Sequence, residues 1–136
     1  MTLNCSRSMH RVCVVLLALL VAVPFAMAQE PRGADIEFQT KVVDLGTLSR
    51  DDDKQMVRLA FTNTGDVPLV VTEVRTSCTC TTVQHDRRKV LPGERGVLTI
   101  TFDPSKAPGG SLYRVLQVFS TARSGVQHIT LKAEIE

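Results

Sequence analysis

The chain has no tryptophan, one tyrosine and five phenylalanines, so aromatics make up 4% of its 136 residues. A core built from it must rely on Val, Leu, Ile and Phe. Charge of one sign is also lacking: 16 Lys and Arg stand against 14 Asp and Glu, a net charge of +2. Nucleic-acid binding draws on a basic surface, so neither nucleic acid nor anionic lipid is implied as a partner. The longest apolar run, Val12 to Val23, is twelve residues. A helix needs about 20 to span the hydrocarbon core, so an integral membrane anchor is not expected. No phosphate-binding glycine loop, paired-carboxylate site or zincin helix motif is present. Ser77, His85 and Asp86 crowd into one short stretch and do not make a triad. Beyond the N-terminal segment no window carries a helical period, which argues against a helical or α/β fold.

What is present starts with a shift in composition. Arg7 and Arg11 precede the apolar run, Pro24 ends it, and Ala26-Met27-Ala28 follows with small residues flanking a variable one. This is the pattern of a secretory signal peptide over residues 1–28, cut after Ala28. Cys13 lies near the start of the run and Cys5 before it, so neither fits a lipid-modified cysteine. Removing 28 of the 136 residues leaves 108, enough for one domain. The segment contains Arg7 and Arg11, so the remainder is formally neutral. It retains two cysteines, Cys78 and Cys80. The expected location is the periplasm or the extracellular space, where disulfides persist.

Residues 29–35, with Pro31 and Gly33, read as a flexible N-terminus, and 36–136 as the domain. Short runs of period two follow one another. Ile36, Phe38 and Thr40 alternate with polar residues and lead into Val42, Val43 and Leu45. Val57, Leu59 and Phe61 form a second run, and Pro68 to Val74 a third. In the clearest, Val97, Thr99 and Thr101 face one way and Leu98, Ile100 and Phe102 the other. Leu112 to Phe119 and Val126 to Ile135 complete the series. Asn63-Thr64-Gly65-Asp66, Pro92-Gly93-Glu94 and Ser124-Gly125 punctuate it, Asn and Gly accepting positive φ at low cost. The expected fold is all-β, an immunoglobulin-like sandwich of about seven antiparallel strands in two sheets.

Six motifs occur in order: Asp44-Leu45-Gly46-Thr47, Phe61-Thr62-Asn63-Thr64-Gly65, Pro68-Leu69-Val70-Val71, Ser77-Cys78-Thr79-Cys80-Thr81, Pro92-Gly93-Glu94 and Thr101-Phe102-Asp103. Together they resemble the exported bacterial family named domain of unknown function 1573, from Phe38 to Ile135. That family is similar to immunoglobulin-like modules of the major-sperm-protein and hydin type. The resemblance implies a fold and no activity. The family often has glycine between the two cysteines, where this chain has Thr79. A turn demanding positive φ there would suit a β-branched residue poorly.

Cys78 and Cys80 are the one constellation with chemistry. In a regular strand both would face the same way, with Cα atoms about 7 Å apart. Disulfides usually span less than about 6.8 Å, so a bridge needs a local bulge or turn. Three readings stand side by side. The pair is structural, as a Cys78–Cys80 disulfide or two thiols closing a turn. Or it binds a soft ion, copper as Cu(I), with His85 as third ligand. Or it performs thiol–disulfide exchange, with Arg75, Arg87 or Arg88 lowering a thiol pKa. By itself His85 reads as a solvated loop residue, and Arg87-Arg88-Lys89 as three solvated charges. The function expected is a non-catalytic binding or scaffolding module with no cofactor. Its protein partner would bind by edge-strand pairing. The alternative is a thiol-redox or Cu(I) protein.

Overall fold

The computed structural model describes residues 32–136. The expected signal peptide at 1–28, and residues 29–31, lie outside the described residues. Eight strands follow in order: β1 (Ile36–Phe38), β2 (Val42–Leu48), β3 (Gln55–Asn63), β4 (Val71–Thr76), β5 (Thr81–His85), β6 (Arg95–Phe102), β7 (Gly110–Ser120) and β8 (Gln127–Ile135). They form two four-stranded sheets, ordered β1-β3-β6-β5 and β2-β8-β7-β4. This is an immunoglobulin-like sandwich. Among the described residues no helix is long and apolar enough to cross a membrane.

The period-two pattern builds the core directly. On β6, Leu98, Ile100 and Phe102 are buried while Val97, Thr99 and Thr101 lie on the outer face. β8 buries Ile129, Leu131, Ala133 and Ile135 and leaves His128 exposed. Leu112, Leu116 and Val118 of β7 meet them from the neighbouring strand. Each fully buried Leu or Ile contributes roughly 1.5–3 kcal/mol. The Phe38 and Phe61 rings pack 5.7 Å apart where β1 joins β3.

The structure departs from the expectation in strand count and direction. The stretch beginning at Ile36 is two strands, not one. β1 pairs antiparallel with β3, and the chain then crosses to the other sheet, where β2 runs parallel to β8. At the break, Thr40 Oγ1 accepts from Val42 N (3.2 Å) and donates to Val42 O (2.9 Å). Both segments have period two, but residues 39–42 are exposed and the inward positions shift from Ile36 and Phe38 to Val43 and Leu45, so the sheet change is marked only by a change of phase, which Thr40 and Val42 mask by extending the first alternation. The strand expected from Pro68 starts at Val71; before it, Leu69 makes an isolated bridge to Val90. The expected flexible stretch also differs where it is described. Gly33 N donates to Asp66 Oδ1 (2.6 Å), Arg123 N donates to Ala34 O (2.8 Å), and Ala34 is buried. The loop after β6 contains a 3₁₀ turn, Pro104–Lys106, capped by Asp103.

Asn63 is a tie point. Its side chain is wholly buried. Its Nδ2 donates to Val67 O (2.8 Å) and Val90 O (2.9 Å), and its Oδ1 accepts from Gly65 N (2.9 Å) and Asp35 N (3.4 Å). One amide thus joins the N-terminal segment, the end of β3 and the loop before β6. The sequence pattern points to positive φ at Asn63 and Gly65, yet neither adopts it. Asn63 acts through its amide. Gly65 is needed for space, because a Cβ there would collide with the backbone of Gly33, Ala34 and Asp35. We expect Asn63→Leu to cost about 2–4 kcal/mol, since buried peptide groups lose their partners. Urea unfolding of the purified chain measures this; a midpoint within error of wild type would contradict the tie-point role.

Candidate functional site

The Cys-x-Cys segment lies where the chain passes from β4 in one sheet to β5 in the other. Residues 77–80 form a turn, not part of a continuous strand. The turn brings the Cys78 and Cys80 Cα atoms to 5.1 Å and pairs their sulfurs as a disulfide. That separation lies inside the range relaxed bridges adopt. Among the described residues no non-glycine residue has positive φ, so the β-branched Thr79 fits this turn.

The two cysteines differ in setting. Cys80 is fully buried in the core, whereas Cys78 is half-buried against it. Cys80 N donates to Cys78 Sγ (3.1 Å) and Thr81 N to Cys78 O (3.3 Å). The Thr76 hydroxyl lies within reach of Cys78 O (3.2 Å) and Thr81 O (3.4 Å), spanning the crossing. Asp103 N donates to Cys80 O (2.8 Å), which fastens the segment to the end of β6.

Asp103 is the charged group beside this anchor. Its carboxylate accepts from Ser105 Oγ (2.6 Å) and lies 3.8 Å from both Lys54 and Lys106. The Ser105 hydroxyl, with the two ammonium groups, holds its pKa below the usual aspartate range.

His85 does not join the cysteines. It lies at the far end of β5, about 13 Å along the strand from Thr81. It is half-buried at a strand end, not in a solvated loop, and its Nδ1 is buried without a hydrogen bond. Among the described residues no three His, Cys, Asp or Glu side chains form a cluster able to hold a metal. The proposed copper set thus reduces here to two sulfurs bonded to each other. Two of the three named arginines are engaged elsewhere. Arg75 bonds Glu73 (2.9 Å) and stacks on Phe119 at 4.8 Å, and Arg88 bonds Glu94 (2.7 Å). Sequence reasoning missed Thr76 and Asp103, which lie two residues before Cys78 and at the end of β6. Contacts across a sheet crossing leave no periodic signal.

A family model described as a protein of unknown function, DUF1573, matches residues 36–135. The chain belongs to this family. Among solved structures, this DUF1573 chain is similar to a protein of unknown function from Porphyromonas gingivalis W83. The two share 25% identity with a TM-score of 0.68, over 82% of this chain and 51% of that one. The chain thus spans about half the length of that relative. It is also similar to the ASH/PapD-like domain 7 of human CEP192, at 11% identity and a TM-score of 0.64 over 85% of this chain and 95% of that one. The periplasmic chaperone SfaE matches at 14% identity and a TM-score of 0.57, over 74% of this chain and 58% of that one. At such identities the last two likenesses show the fold alone. No curated protein matches the chain in sequence.

Two outcomes are expected. Closing so short a loop is worth roughly 1.5 kcal/mol in the chain-entropy relation, so Cys78→Ser should cost about that much. Cys80→Ser should cost about 1–3 kcal/mol more, because it also places a hydroxyl in the core. Equal unfolding midpoints for the two variants would contradict the burial difference. The second outcome concerns acid. Asp103 has a folded pKa below its unfolded value, so its stabilisation is complete above about pH 5 and is lost as pH falls through the folded value. Asp103→Asn should therefore melt below wild type at neutral pH, and the two melting curves should converge in strong acid. Parallel curves throughout would contradict this assignment.

Proposed function

We propose that this protein is an exported, non-catalytic binding module that holds a protein partner by strand pairing along β5. The observation that carries the reading is the state of the four edge strands. β1 has only three residues. β2 carries a register shift, with Gly46 at φ 70. β4 also shifts register, and Glu73 and Arg75 pair on its exposed face. Short length, bulges and charge are the usual protections of an edge. β5 has an unbroken register with β6 and carries only Thr82 and Gln84 on its outer face.

The ladder phase indicates which groups are open. The Asp103 N to Cys80 O bond falls on the β5–β6 register. In an antiparallel ladder bonded and unbonded positions alternate. Thr82 and Gln84 therefore bond to β6, and Val83 and His85 direct N–H and C=O toward the open edge. An added strand would bond there. The signal-peptide pattern supports an exported location, and burial of Cys80 favours a structural bridge over a metal or exchange site.

A photo-crosslinking residue at Gln84, in the full chain expressed in its native compartment, should give a discrete adduct. One at the exposed His128 should not. Val83→Pro should abolish the Gln84 adduct while leaving the β5–β6 ladder intact, because the lost N–H faces outward. Adducts of equal yield at both positions, or indifference to Val83→Pro, would refute the edge reading. Sustained turnover of oxidised glutathione would refute the non-catalytic one.

A further inference from the structure

The outer face of the β1-β3-β6-β5 sheet carries a groove of about 420 Å³ that borders β5. Arg58, Arg88 and Arg95 line it, over a floor that includes Gly96, Val97 and Thr99. Arg88 is fixed in place. Its guanidinium bonds Glu94 Oε1 (2.7 Å) and Arg95 O (3.0 Å), with Asp86 at 3.4 Å. Glu94 and Asp86 thereby offset its charge. Arg58 and Arg95 are different: among the described residues neither has a carboxylate partner. Two exposed guanidinium groups thus face one groove, whose neighbouring acids, Asp86 and Glu94, are both engaged by Arg88.

Their spacing is defined by the sheet. Arg58 of β3 pairs with Thr99 of β6, and Thr99 with Gln84 of β5, so these three stand in one row across the sheet. Arg95 lies four residues from Thr99 on β6, about 13 Å along the strand direction. Side chains i and i+4 of an added strand lie on one face at the same spacing. A strand added beyond β5 would stand about 14 Å from the Arg58 backbone and about 10 Å from that of Arg95, so an acidic side chain reaching back over β5 meets a guanidinium extended along the outer face, which can bind it through two parallel hydrogen bonds. The position between them would approach Asp86, where a third acid would be repelled.

We infer that the groove beside β5 selects an extended peptide segment with acidic residues at i and i+4 and an uncharged residue at i+2. The inference rests on the edge reading of the preceding subsection and specifies its partner. An acidic polysaccharide could satisfy the arginines, but it could not bond the open backbone groups of Val83 and His85. A peptide strand satisfies both.

The probe is a labelled heptapeptide, Val-Glu-Val-Thr-Val-Glu-Val, with the same peptide bearing lysine or glutamine in place of glutamate as controls. Fluorescence anisotropy with the full chain should show the glutamate peptide binding at least about tenfold more tightly than either control, with strong weakening by salt. Amide exchange at Val83 and His85 should slow in the complex. The double variant Arg58→Gln/Arg95→Gln, at exposed positions, should keep the wild-type melting temperature and lose about tenfold in affinity. If all three peptides bind equally and protect β5, the acidic assignment is overturned and the edge reading stands. If no peptide protects Val83 and His85, the inference fails together with the choice of β5 as the docking edge. If oligogalacturonate binds as tightly as the glutamate peptide without that protection, the groove is a glycan site and the peptide assignment is overturned.

Discussion

A sandwich buries two apolar faces against each other, and this chain passes between its two sheets five times in seven connections. Every crossing brings peptide groups close to a core where water cannot satisfy them. The fold depends on how those groups are paired. After β1, the Thr40 hydroxyl serves Val42. After β3, the Asn63 amide makes four hydrogen bonds. After β4, Thr76, the Asp103 amide and the Cys78–Cys80 pair share the task. The sheets themselves need only alternation; the crossings need specific side chains.

This division explains what could be read from the sequence. Alternation identified the faces of β6 and placed His128 on the outside, because inward and outward residues differ in polarity at every step. It did not place the change of sheet between β1 and β2, where both segments keep the same period and only the phase of the inward positions shifts. Nor could it separate the two uses of Asn63, since a turn residue and a buried amide look alike in a row of letters. For the cysteines, spacing alone required a turn if a bridge was to form, and the chain has one. Spacing alone also left His85 available as a ligand. The intervening strand removes it, since β5 is extended and carries it away from the sulfurs. Thr76 and Asp103 were illegible because each meets the cysteine segment from a different strand.

The edges carry the other half of the account. A closed barrel has none, whereas two four-stranded sheets have four. Three are short, bulged or charged in ways that discourage pairing. β5 has no bulge and no charge on its outer face, and its neighbour there is a groove with two arginines that lack carboxylate partners. An unguarded edge is an aggregation hazard unless a partner covers it. Positive charge beside it would repel a second copy of the same edge while attracting an acidic strand, so the arginines and the open ladder are consistent with one use.

The cysteine pair bears on that use through the start of β5. The edge presents Val83 and His85 only while β5 keeps its phase on β6. A slip of one residue would turn those amides inward and exchange the two faces of the strand. Thr81 follows directly after Cys80, whose carbonyl is held by Asp103 and whose sulfur is both buried and joined to Cys78. The strand thus starts from a point fixed by a core side chain, a covalent bond and a ladder hydrogen bond. A pin of this kind matters little for a strand with neighbours on both sides, which a second ladder would hold. It matters most for an edge strand five residues long with one neighbour. The position of the Cys-x-Cys motif, immediately before β5, follows from that need.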